Sequence, residues 1–154
     1  WYQKAAEQGH AQAQHNLGWM YQNGQGVEQN STTACKWYQK AAEQGHAQAQ
    51  HNLGWMYQNG QGVEQNSTTA CEWYQKAAEQ GHAQAQYKLG MIYLKGQKDV
   101  PRNLNKAIQW LRSAAERDHD NSKIMLNRIK ERVVPLATQG HPKAQAILNH
   151  IMAK

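Results

Sequence analysis

The chain has the length of one ordinary domain, with 154 residues, 40% of them hydrophobic, and no phenylalanine. Its two cysteines are too few for a disulfide-stapled scaffold, and no apolar run approaches the ~18 residues that span a bilayer, so membrane insertion is not expected. The net charge of +6 is uneven: three basic and five acidic residues give −2 over residues 1–72, whereas fourteen basic and six acidic residues give +8 over residues 73–154. Trp1 lies in the middle of a sequence pattern, so we expect a piece of a longer protein.

An internal repeat dominates the sequence. Residues 1–35 recur unchanged as residues 37–71, a third copy begins at Trp73 and then diverges, and a fourth is recognisable from Ala114. Such a period is typical of stacked supersecondary units. We predict one repeat domain over residues 1–154. It comprises a partial helix B (1–10), helix-pair repeats (11–45, 46–81 and 82–118), and a degenerate repeat with a C-terminal cap (119–154).

Each repeat reads as two helices, A and B. In the central copy, apolar residues at spacings of three and four predict helix A over residues 47–58, and Gly60 ends it. The Asn66-Ser67-Thr68 segment supplies capping oxygens for helix B, predicted over residues 67–80. A glycine recurs in the middle of helix A, as Gly54 in this copy. This indicates a helix contact that a Cβ atom would obstruct, because mid-helix glycine costs ~1 kcal/mol against alanine.

The C-terminal segment is predicted to close the array. Pro135 is expected to end a helix, since proline disfavours the α conformation at the preceding residue. Pro142 fits the first turn of a last helix that runs to about residue 153. Its Ile147, Leu148 and Ile151 would cover the otherwise exposed end of the stack.

These residues carry a family resemblance. The pattern Ala47-x-Ala49-x-x-x-Leu53-Gly54-x-x-Tyr57-x-x-Gly60-x-Gly62-Val63, followed by Ala70-x-x-Trp73-Tyr74-x-Lys76-Ala77-Ala78-x-x-Gly81, resembles the Sel-one-like repeats (SLR), relatives of tetratricopeptide repeats. The resemblance covers residues 1–117 almost fully and residues 118–154 loosely. It implies an all-α, right-handed α-solenoid of stacked antiparallel helix pairs, from a bacterial source. Thr33 and Thr69 depart from the pattern, which usually has lysine there.

Catalytic, cofactor and metal chemistry finds little support in the sequence. Cys35 and Cys71 occupy equivalent B-helix positions, and packed helices lie ~8–10 Å apart, beyond the ~7 Å Cα limit for a disulfide; we expect two buried thiols. Gly60-Gln61-Gly62 joins two helices and does not follow a strand, so it is not a dinucleotide fingerprint. We therefore predict that the protein is not an enzyme and needs no cofactor.

The histidines form two series at the repeat spacing. The first series lies at the starts of the A helices, and the second, His15 and His51, lies five residues further on. A spacing of five does not place two imidazoles on one helix face, and successive members are one repeat apart, too far for shared metal bonds of ~2 Å. We expect capping and surface roles and no metal. The members of the first series are His10, His46, His82, His119 and His141.

The surface of the A helices remains as the candidate site. Tetratricopeptide-like solenoids bind partners along a concave groove lined by their A helices, so the resemblance points there. Trp19 and Trp55 fall opposite the core-facing residues, where either they bind a partner or they pack against the next repeat. The residues predicted to line the groove are Gln12, His15, Asn16, Trp19, Gln48, His51, Asn52, Trp55, Gln84, Tyr87, Lys88, Met91, Lys95 and Arg128.

The favoured function is a non-catalytic scaffold, monomeric, that binds a protein or peptide in this groove. Bacterial proteins with such repeats include envelope regulators, host-interaction factors and immunity proteins that neutralise secreted toxins. The alternative is an envelope module that binds glycan or peptidoglycan through tryptophan and glutamine. The compartment is not determined by the sequence, and the resemblance favours a periplasmic or secreted protein over a cytoplasmic one. Nucleic acid is not expected as a partner, because acidic residues are interspersed among the basic ones.

Overall fold

The computed structural model describes residues 2–153, which divide into two compact units between His82 and Ala83. Unit 1 contains α1 (Tyr2–Glu7), α2 (Ala11–Asn23), α3 (Ser31–Glu43), α4 (Ala47–Asn59) and α5 (Ser67–Glu79). Unit 2 contains α6 (Ala83–Lys95), α7 (Leu104–Ala115), α8 (Asp120–Thr138) and α9 (Pro142–Met152). Among the described residues, β structure is limited to one isolated bridge between Gln97 and Val100. The all-α prediction is confirmed.

The helices pack as stacked antiparallel pairs in unit 1. Helix α2 packs on α3, α4 packs on α5, and α3 joins the two pairs by packing on α4. The predicted punctuation is confirmed: Gly60 has a left-handed φ of 65° after α4, and the Asn66 side chain accepts from the Thr69 backbone N–H before α5. These caps satisfy backbone groups that a helix end leaves without partners.

The recurring mid-helix glycine allows the two helices of a pair to approach closely. An ideal Cβ atom on Gly54 would lie 2.9 Å from Tyr74 Cδ1, and one on Gly18 would lie 2.8 Å from Tyr38 Cδ1. Both tyrosine rings are fully buried, and each hydroxyl donates to a glutamine on helix A of its own pair. The predicted contact is therefore confirmed, and aromatic rings occupy the space that the missing side chains leave.

Unit 2 repeats the pairing with different residues. Helix α6 packs on α7 and α8 packs on α9, while α7 contacts both members of the second pair. At the α6–α7 contact, Leu111 takes the place of tyrosine, 2.7 Å from an ideal Cβ on Gly90. Ile147, Leu148 and Ile151 of α9 pack against the cluster of Ile129 and its neighbours, as predicted for the C-terminal helix.

The prediction that a helix ends at Pro135 is wrong. Helix α8 continues through Pro135 to Thr138, and Ala137 beyond it is buried in the unit 2 core. Proline costs a helix one hydrogen bond because it has no N–H. Pro135 itself is exposed, whereas Ala137, two residues further on, is buried, so the helix keeps that burial by continuing through the proline. Pro142 begins α9 at its first turn, as predicted.

Candidate partner-binding face

The A-helix face of unit 1 is formed by side chains of α2 and α4. It contains eight of the fourteen predicted site residues, and none of them is buried. Trp19 is 43% exposed, whereas Trp55 is half-buried and packs against the cluster of Tyr38 and Leu53. The eight residues are Gln12, His15, Asn16, Trp19, Gln48, His51, Asn52 and Trp55.

The two tryptophans differ although the 35 residues around them are identical. The repeat formed by α2 and α3 covers the second copy, since an ideal Cβ on Gly62 would lie 2.3 Å from the Ser31 carbonyl oxygen. Met56 is consequently fully buried, while the equivalent Met20 is half-buried. Trp19 instead lines an open cavity of about 590 Å³, together with residues that include Tyr2 and Met20. Within residues 2–153, Trp19 is therefore the more exposed of the two indoles.

The amide and imidazole groups of this face bind one another across the repeats. The His46 ring Nε2 donates to Gln12 Oε1 (3.1 Å), and the Asn52 amide donates to His15 Nε2 (3.3 Å). His82 Nε2 donates to Gln48 Oε1 (2.9 Å) in the same way. Several polar residues predicted to line the groove therefore hold neighbouring repeats together.

The histidines of the two series meet in stacked pairs. His15 and His46 have ring centroids 4.9 Å apart at an interplanar angle of 20°, and His51 and His82 repeat this arrangement at 5.0 Å and 23°. The sequence analysis considered only contacts within one series, whose members are a repeat apart. It did not predict that each stacked pair takes one histidine from each series. The signal was present in the parallel recurrence of both positions.

The hydrogen bonds of the first pair require neutral rings. His46 Nδ1 accepts from the Ala49 backbone N–H and thereby caps α4, while His15 Nε2 accepts from Asn52. Burial lowers the pKa of both imidazoles, and each positive ring would also repel the other. The capping role expected for the first series is confirmed at His46 and His119, whereas His10 and His141 make no side-chain cap.

Two further glutamine positions are structural and were not predicted as such. Gln14 is 4% exposed; its amide donates to the Ala6 carbonyl, and its Oε1 accepts from Gln44. Gln50 repeats these contacts one copy later with Ala42 and Gln80. A glutamine recurring among small core residues was the available sequence signal, because a buried polar group needs hydrogen-bond partners.

The Sel1 repeat model matches four segments of the chain, residues 1–10, 11–46, 47–82 and 83–119. The chain belongs to the Sel1 repeat family. Sel1 repeats mediate protein–protein interactions and form scaffolds that are generally non-catalytic. The predicted resemblance is thus confirmed.

Solved structures of bacterial Sel1-type proteins are similar to the chain. A Sel1 repeat protein from Oxalobacter formigenes is 37% identical with a TM-score of 0.74, covering 92% of this chain and 63% of its own. Helicobacter pylori cysteine-rich protein B is 28% identical with a TM-score of 0.53, covering 55% of this chain and 63% of its own.

A protective antigen of uropathogenic Escherichia coli that displays an SLR fold is 30% identical with a TM-score of 0.44, covering 97% of this chain and 42% of its own. The chain therefore spans less than two thirds of the length of each of these three proteins. No match to a curated protein was found.

In unit 2 the remaining predicted residues lie on α6, within the last matched Sel1 segment, and on α8, which follows it. Gln84 accepts from the His119 ring (2.8 Å), and the Tyr87 ring lies 4.7 Å from that imidazole. Lys88 and Met91 are half-buried, whereas Lys95 and Arg128 are exposed. Gln84 and Tyr87 therefore have contacts within the unit, and Lys95 and Arg128 are exposed cations.

The described residues were searched for metal ligands and membrane-spanning helices. Within residues 2–153, no three histidine, cysteine or acidic side chains lie close enough to hold a metal ion. None of the helices described is long and apolar enough to cross a membrane. Cys35 and Cys71 are buried thiols, as predicted, and burial raises the pKa of Cys35 to about 11. A thiol with a raised pKa is a poor nucleophile at neutral pH.

Proposed function

We propose that the protein is a non-catalytic scaffold that binds a protein or peptide partner on the A-helix face of unit 1, with Trp19 as its anchor. The observation that carries the proposal is the 43% exposure of the Trp19 ring beside an open cavity of about 590 Å³. Tryptophan is enriched among residues that dominate binding energy at interfaces. An indole in a concave wall offers a partner side chain a large apolar contact.

The surroundings of Trp19 support recognition by shape. His15 and Asn16, which also line the cavity, are held by hydrogen bonds to each other and by Asn52 from the next repeat. These contacts restrict the side chains before a partner arrives, which lowers the entropy cost of binding. A carboxamide nitrogen carries two hydrogens, so amides on this face keep donor capacity for a peptide carbonyl.

The proposed biological setting is one in which a bacterial protein recognises another protein. Toxin immunity, host interaction and envelope regulation all fit this description, and the family scaffold is compatible with each. An envelope glycan or peptidoglycan is the competing ligand, because sugars also stack on exposed indoles.

Two matched variants test the proposal. Peptides selected on the intact chain from a display library, and insoluble peptidoglycan sacculi, serve as the probes. Trp19→Ala should weaken peptide binding by at least ~2 kcal/mol, the loss typical of a hot-spot residue, and leave the melting temperature almost unchanged. Trp55→Ala is the control of identical local sequence, and it should mainly lower the melting temperature because its ring packs on the core.

The outcomes separate the functions. Unchanged peptide affinity in Trp19→Ala would remove the anchor from the proposal. Retention of the chain on sacculi, lost in Trp19→Ala and with no peptide selected, would support the glycan alternative instead.

A further inference from the structure

Helix α8 in unit 2 presents a stripe of exposed residues at four-residue spacing. The stripe consists of Ile124, Arg128, Arg132 and Leu136, and all four side chains are exposed, Ile124 by 48% and Leu136 by 46%. An adjoining side of the helix supplies Ile129, Val133 and Ala137 to the unit 2 core. The four stripe side chains are therefore exposed to solvent, with the apolar Ile124 and Leu136 at the two ends and the two arginines between them.

Within residues 2–153, no carboxylate lies within ion-pair distance of the arginines of the α8 stripe. From residue 83 onward the sequence contains thirteen lysine and arginine residues against five acidic ones. Among the residues that the structure describes, only Lys123 forms ion pairs, with Asp118 at 2.8 Å and Asp120 at 3.9 Å. This pairing uses two of the five carboxylates, and Arg128 and Arg132 lie beyond ion-pair distance of the others.

The repeat register shows that this surface differs chemically from the face of unit 1. Arg128 follows Met91 by 37 residues, and Met91 follows Trp55 by 36, so a guanidinium occupies the repeat position of the indoles. Guanidinium groups favour planar, bidentate contacts with carboxylates. A partner suited to α8 therefore differs from one suited to Trp19.

We propose that the α8 stripe docks an acidic helical segment of a protein partner. Two carboxylates face Arg128 and Arg132, and an apolar side chain near each end covers Ile124 and Leu136. The stripe extends about 18 Å, which is 12 residues at a rise of ~1.5 Å, or roughly three helical turns. The apolar ends favour a protein over nucleic acid, because phosphates would pair with the arginines and leave Ile124 and Leu136 uncovered.

The proposal concerns unit 2 alone and does not depend on Trp19. The probe is a synthetic 16-residue helical peptide with leucine at positions 2 and 14 and glutamate at positions 6 and 10. A scrambled peptide of the same composition is its control. Fluorescence anisotropy measures both against the intact chain, and the binding should weaken as salt rises from 50 to 300 mM because the central contacts are ionic.

Charge-matched variants of the intact chain sharpen the test. The double variant Arg128→Glu/Arg132→Glu should weaken binding of the designed peptide at least ~10-fold, as expected for losing and reversing two ion pairs. The control Lys98→Glu/Lys143→Glu has the same net charge at two other exposed positions and should change the affinity less than ~2-fold. Ile124→Ser should also weaken binding, with the melting temperature unchanged.

Three results would overturn the proposal. Equal weakening by the two double variants would show diffuse charge attraction, and equal binding of the scrambled peptide would show that the stripe has no register. Tighter binding of a 16-base-pair DNA duplex or of phosphatidylserine vesicles, lost in Arg128→Glu/Arg132→Glu, would assign the stripe to an anionic polymer or a lipid surface. None of these results affects the Trp19→Ala outcome.

Discussion

Adding a side chain at Gly54 tests the packing on which the helix pairs depend. An ideal Cβ there would lie 2.9, 3.0 and 3.1 Å from the Cδ1, Cε1 and Cγ atoms of Tyr74. The ring cannot move away easily, because it is fully buried and its hydroxyl donates to Gln58 Oε1 at 2.9 Å. We therefore expect Gly54→Ala and Gly54→Val to force the ring and the two helices apart.

The size of the effect follows from two opposing terms. Replacing mid-helix glycine with alanine stabilises a helix by ~1 kcal/mol, and overpacking a core typically costs ~1–3 kcal/mol. Gly54→Ala should therefore lose between about 0 and 2 kcal/mol. Valine is a poorer helix former and adds two methyl groups beside Tyr74, so Gly54→Val should lose more than ~1 kcal/mol. For a chain of this length, each 1 kcal/mol lowers the melting temperature by roughly 2–4 °C.

Urea and thermal unfolding of both variants measure these losses, with Gln39→Val as the control for valine in an exposed helical position. The variant Tyr74→Leu, alone and combined with Gly54→Ala, completes a double-mutant cycle. With the ring gone, alanine at position 54 should become stabilising through its helix propensity. Additive free energies in this cycle, or a neutral Gly54→Val, would refute the contact as the reason for the glycine.

Three other measurements follow from the contacts of unit 1. Burial lowers the pKa of His15 and His46, so on acidification the unfolded chain binds protons at a higher pH than the folded chain. The free energy of unfolding should therefore be highest above about pH 6.5 and decrease as the pH falls below that value, and urea midpoints between pH 7.5 and 5 measure it. His46→Gln should reduce that dependence, and stability that rises on acidification would contradict it. Cys35 and Cys71 should react slowly with a thiol reagent in the folded chain and both titrate after denaturation without reductant; two missing thiols would contradict their assignment as buried thiols. Asn66→Ala should cost about 1 kcal/mol through loss of the α5 cap, whereas an unchanged urea midpoint would show that the cap contributes nothing.

Local signals in the sequence were sufficient for the helices and their pairing. Gly60 and Asn66 mark the end of α4 and the start of α5 because positive φ and side-chain capping are properties of single residues. Gly54 predicted the close helix contact, because glycine lowers the stability of a helix and a packing contact can compensate for that loss. The prediction at Pro135 was wrong because it also used a local property alone. Proline disfavours the α conformation at the preceding residue, but the burial of Ala137 outweighs that preference.

Tertiary structure alone decided which predicted site residues are available. Trp19 and Trp55 have identical neighbours in sequence, yet their exposure differs. Trp55 is half-buried because it packs against a cluster that includes residues of α3, which belongs to the preceding repeat. His15 contacts His46 because two repeats stack. In the same interface, His46 is hydrogen-bonded to Gln12 and His15 to Asn52, so each imidazole is bonded to a side chain of the other repeat. Exposure and pairing depend on atoms from another repeat, so identical sequence windows cannot encode the difference between them.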